Sequence, residues 1–60
     1  MFTVIQIRDF AMQPLGTRIL RVVYAVDRAT NSFLVTGSMS NEFIWIPIDA
    51  CIPYREGMAV

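Results

Sequence analysis

The stretch 17-TRILRVVYAVDRATNSFLVTGS-38 decides how this chain folds. Its first half, Thr17 to Asp27, carries a Val-Val-Tyr-Ala-Val run, poor as a helix and good as a strand because branched and aromatic side chains suit a pleated surface. Asp27-Arg28-Ala29-Thr30-Asn31-Ser32 then reads as a tight loop ending in an asparagine able to take the left-handed conformation. With Ser32 to Ser38 returning as a second apolar run, the stretch is a β-hairpin.

Working outward, Phe2 to Phe10 is a strand, rich in branched residues and too mixed in period for a helix. Ala11 to Gly16 breaks it, and Pro14-Leu15-Gly16 suits a type I turn. On the other side of the hairpin, Met39-Ser40-Asn41 turns the chain into a fourth strand, Glu42 to Ile48 (EFIWIPI). Pro47 has no amide donor and belongs near a strand end or on an edge. Asp49-Ala50-Cys51 reads as one helical turn capped by the aspartate, Ile52 to Tyr54 as a short last strand, and 55–60 as a loose tail. Residues 1–60 thus form a single small domain.

Five short strands with one helical turn before the last resemble the SH3-like superfold. The resemblance implies an all-β fold, a five-stranded antiparallel SH3-like barrel. The long acidic loop and paired tryptophans by which signalling SH3 domains hold proline-rich peptides are absent. The segment Phe43-Ile44-Trp45-Ile46-Pro47-Ile48, with Ala50 after it, is also similar to a strand of the type II dihydrofolate reductases, which form one active pore from four SH3-like subunits. In that frame the family's functional glutamine and tyrosine fall at Ile44 and Ile46, neither of which can hydrogen-bond folate or nicotinamide. The resemblance implies association through a barrel face without the activity.

Composition supports association. A 60-residue chain buries only roughly 60% of the surface that its unfolded form exposes. Such domains gain stability from disulfides, metals or oligomers. Cys51 is the only cysteine and there is no histidine, so neither an internal disulfide nor a zinc site is expected. With 55% hydrophobic and 17% charged residues, some apolar surface must stay outside, where contiguous patches mark binding sites.

Catalytic chemistry finds no support. Without histidine or lysine there is no ordinary general base. Cys51 has no cationic neighbour close in sequence and reads as a buried, inert thiol. Asp27 and Asp49 read as a turn former and a cap. No cofactor is expected. No apolar run approaches the roughly 18 residues of a membrane span, the start of the chain is no signal-peptide core, and a lone free cysteine suits a reducing compartment. The chain therefore reads as cytoplasmic, with no membrane partner.

Alternation divides the sheet into two faces. Pairing Val26 with Phe33, Tyr24 with Val35 and Val22 with Gly37 places Leu20, Val22, Tyr24, Val26, Phe33, Val35, Phe43 and Trp45 on one face. That face is apolar throughout and is expected to be the core. The opposite, aliphatic face includes Ile19, Arg21, Val23, Leu34, Ile44 and Ile46, with Glu42 at its edge, and these seven residues form the expected interface. A one-residue slip would exchange the faces and expose Trp45, Tyr24 and Phe43 as an aromatic patch.

The functional expectation is a small non-enzymatic protein-interaction or regulatory module. It would associate with itself and with another protein, as a phage or mobile-element accessory factor that binds a host protein would. The alternative is a nucleic-acid-binding barrel with Arg8, Arg18, Arg21 and Arg55 around exposed aromatics. Balanced charge, five arginines against five acidic residues, lacks the basic excess that phosphate binding uses.

Overall fold

The computed structural model describes residues 1–37 and 41–55. Among the described residues it is all-β: β1 (Phe2–Arg8), β2 (Pro14–Asp27), β3 (Ser32–Thr36), β4 (Phe43–Pro47) and β5 (Cys51–Pro53), with one 3-10 turn, Ile48–Ala50, before β5. The five expected strands and the helical turn are therefore present. All pairings are antiparallel, in the order β4-β3-β2-β1-β5. Among the described residues no ladder joins β4 to β5, so the sheet is open and the expected barrel is not closed by hydrogen bonds.

The central hairpin forms as its sequence dictates. The Asp27 carboxylate accepts from the amides of Ala29 at 3.0 Å and Thr30 at 3.4 Å, and Asn31 takes the left-handed conformation at φ 55°, which asparagine tolerates better than most residues. The first turn lies elsewhere than expected. Pro14 opens β2 instead of turning the chain, because a residue without an amide donor fits the first position of a strand. The reversal falls on Asp9 to Gln13, where Asp9 Oδ1 accepts from the amides of Ala11 and Gln13, both at 2.9 Å. The expected turn at 39–41 lies largely outside the described residues. Its flank is closed by the Gly37 amide donating to the Glu42 carbonyl at 2.8 Å.

Pro47 is the last residue of β4, an edge strand, as expected. Asp49 does not cap the 3-10 turn: Pro47 occupies that place with no side-chain capping bond. The Asp49 carboxylate instead accepts from Asn31 Nδ2 at 3.2 Å, linking the hairpin tip to the turn. The expected loose tail begins with Arg55, which is exposed, and otherwise lies outside the described residues.

The core contains Val4, Val23, Phe33, Val35 and Ile46, with Ile44, Ile48 and Cys51 packed against it. Two register features place it there. Between β2 and β3 the pairs Val26↔Phe33 and Ala25↔Leu34 give way to Val23↔Val35, leaving Tyr24 as an extra residue in a β-bulge. A bulge reverses the alternation of everything beyond it. Between β3 and β4 the partners are Phe33↔Ile46, Leu34↔Trp45 and Val35↔Ile44, one residue away from the expected pairing. Val23, Ile44 and Ile46 therefore point inward and Tyr24, Phe43 and Trp45 outward, the reverse of the expected assignment, while Phe33 and Val35 lie in the core as expected.

Candidate interaction surface

Of the seven residues expected at an interface, the structure brings five to the inner side. Val23 and Ile46 are fully buried there, and Ile19, Arg21 and Ile44 are partly buried. As core, these residues are not a surface that a partner can reach. Leu34, paired with Trp45, lies on the outer face. Glu42 is exposed just before β4.

Arg21 enters the inner face without a penalty in unpaired polar atoms. Its Nε donates to Gln6 Oε1 at 2.9 Å and its Nη1 to the Thr36 carbonyl at 2.8 Å. Gln6, itself buried, passes the bond on through Nε2 to the Arg8 carbonyl at 2.9 Å. No buried side-chain nitrogen or oxygen among the described residues lacks a partner. The relay joins β1, β2 and β3, and charge-assisted bonds of this kind are the stronger ones.

Cys51 faces the same side, opposite Gln6, and its thiol contacts the Pro47 carbonyl at 3.8 Å. Burial pushes the thiol up to about 11, against a smaller downward pull from Arg21. A thiol that stays protonated at neutral pH is a weak nucleophile. Beside it opens an apolar cleft of about 350 Å3, with Phe2, Phe33, Ile48 and Tyr54 among its walls. Among the described residues no three His, Cys, Asp or Glu side chains are grouped to hold a metal ion, and no helix is long and apolar enough to cross a membrane.

Large apolar side chains meet water on the outer face as well as at Phe2, Phe10 and Tyr54. Leu20, Val22, Tyr24, Phe43 and Trp45 are each between 40% and 56% exposed. The Tyr24 and Phe43 rings meet edge to face at 5.1 Å, which ties β2 to β4 across β3, and Leu34 lies beside Trp45. Toward β1 the same side is sealed. Ile5 is fully buried, with Leu20 and Ile52 as its cross-strand partners. None of the five exposed side chains is charged.

Sequence reasoning missed the bulge, because neither Tyr24 nor its neighbours include the glycine that often marks one. The surplus of apolar residues on both faces was the available signal that one of them would remain open. No family model, curated protein or solved structure matches this chain.

Proposed function

We propose that this chain is a small non-enzymatic binding module, and that its contact surface is the outer aromatic face of the sheet. The observation that carries this reading is the set of five exposed, uncharged apolar side chains on the outer side, two of them in ring contact, on a chain whose inner face already supplies the core. A patch of this kind matches the largest apolar patch of a typical soluble protein, which is often a functional one. Tyrosine, tryptophan and phenylalanine are also the residues that dominate protein interfaces. The partner class is therefore protein, and the free thiol of Cys51 fits a reducing compartment such as the cytoplasm.

Two of the four arginines that nucleic-acid binding would use, Arg21 and Arg8, are placed in a way that favours a protein partner over nucleic acid, while Arg18 and Arg55 are exposed. Arg21 is engaged on the inner side by Gln6 and Thr36, and Arg8 donates to the Met12 carbonyl in the first turn. Neither is free to flank the aromatics, as single-strand binding would require. A gel shift that weakens steeply with salt would replace this reading with the nucleic-acid one.

Photo-cross-linking in the producing cell tests the surface directly. Benzoylphenylalanine in place of Phe43 should capture protein, identified by mass spectrometry as this chain or another, and in place of Arg28 at the hairpin tip it should not. Equal yields at the two positions, or none at Phe43, would remove the outer face as the binding surface.

A further inference from the structure

The occupant of the outer face follows from its area, its lack of charge and the neutrality of the whole chain. We propose that it is a second copy of this chain, the two sheets packed face to face about a two-fold axis through Leu20, Val22, Tyr24, Phe43 and Trp45. This rests on the outer face being a binding surface and names what covers it.

Area comes first. At the exposures of these five residues and full side-chain areas of roughly 150–250 Å2 for the aromatics, the patch offers roughly 500 Å2 per copy. That is more than a tenth of the 4337 Å2 surface, the fraction that a specific interface takes from a small protein. Two copies together reach roughly 1,000 Å2 before any rim is counted, the size that a biological interface has to clear and the range of weak, reversible association.

Symmetry comes second. A two-fold interface sets a patch against itself, so side chains near the axis meet their own counterparts. A charged residue there would meet its like, and the five side chains carry none. The polar atoms of Tyr24 and Trp45 lie at the ends of their rings, where they can reach water or backbone at the edge of a packed face. Zero formal net charge leaves no long-range repulsion to oppose the encounter. Face-to-face sheets about 10 Å apart interdigitate their side chains, and half-exposed rings project far enough to do so.

Trp45 is the only tryptophan and lies within the proposed contact. Sedimentation velocity and tryptophan emission on the full chain across the micromolar range should therefore change together. The mass should rise from one chain to two while the emission moves to shorter wavelength as Trp45 leaves water. Phe43→Asp should weaken the dimer at least about tenfold, since a buried charge would have no partner. Its β-sheet circular dichroism should persist, and Arg28→Asp should leave the dimer unchanged. If the aspartate variant fails to fold, Val22→Thr, which keeps the shape of the side chain, should still weaken the dimer several-fold.

A single-chain mass at every concentration would overturn the dimer. So would a dimer whose Trp45 emission does not move, because it would use another surface. A single-chain mass with Phe43 cross-links to a different protein would leave the binding reading standing. A single-chain mass with no cross-links at Phe43 would remove both.

Discussion

The two faces of the sheet differ little in hydrophobicity and greatly in shape. The inner one is built from Val4, Val23, Val35 and Ile46 with a single aromatic ring, Phe33. The outer one displays Leu20, Val22, Tyr24, Phe43 and Trp45. In a curled sheet of 60 residues the enclosed side has room for short branched side chains, and three further rings would overfill it. Register sorts the residues that size leaves undecided, since Val22 is exposed and Val23 fully buried.

The largest effect that would break the contrast is deletion of Val22. With Tyr24 still bulged and Val23 opposite Val35, removing Val22 reverses the alternation before Val23 and turns Arg21 and Ile19 outward. Loss of the cooperative thermal transition is expected, whereas deletion of the bulged Tyr24, which leaves Val23 opposite Val35, should keep it. A Val22 deletion variant that unfolds as cooperatively as the native chain would show that alternation along β2 does not set the faces.

Next come paired truncations. Ile46→Ala, at a fully buried site, should cost about 2–4 kcal/mol in urea unfolding. Trp45→Ala, on the half-exposed outer side, should cost less than about 1.5 kcal/mol when measured on the monomer. Equal losses would erase the distinction between the faces.

Arg21→Ala probes the polar end of the inner face. It removes donors from Gln6 Oε1 and the Thr36 carbonyl and should cost about 1–3 kcal/mol by leaving buried acceptors unpaired. Arg21→Lys, which lacks the fork, should recover only part of this.

The smallest effect concerns pH. The Cys51 thiol ionises near 9.0 when unperturbed and near 11 in the fold. Between those values the unfolded chain holds fewer protons than the folded one, so stability falls as pH rises through this window. Below it the thiol is neutral in both states and contributes no slope. Urea titrations from pH 8 upward should show a steeper decline for the native chain than for Cys51→Ala. Parallel curves would mean that the thiol is not desolvated.

Much of the fold is legible because its signals are local. Asp27 and Asn31 specify the hairpin through a side-chain bond and a backbone preference that lie within the loop itself. Pro47 announces an edge through its missing donor. The first turn was also readable at Asp9, whose carboxylate organises the next four residues, but Pro14 and Gly16 are the more familiar turn formers and drew the assignment away. The faces were not legible, since their identity depends on two one-residue events, the bulge at Tyr24 and the β3–β4 pairing. Neither is marked by residue type, and either alone would have moved side chains across the sheet. The alternation argument did show that an apolar surface would remain, and that an exchange of faces would make it Tyr24, Phe43 and Trp45.

Proline placement has a consequence for a chain this apolar. The two open edges of the sheet belong to β4 and β5, and the first ends at Pro47 while the second, only three residues long, ends at Pro53. A fibril grows by adding strands to an edge through unbroken rows of amides and carbonyls, and each proline interrupts such a row. Among the described residues each edge strand thus loses one donor at its end, which weakens lateral growth there without covering the outer face. Contact through a face closes once it is covered, so an association through this apolar surface would end in a finite assembly, where one through the edges could grow into a fibril.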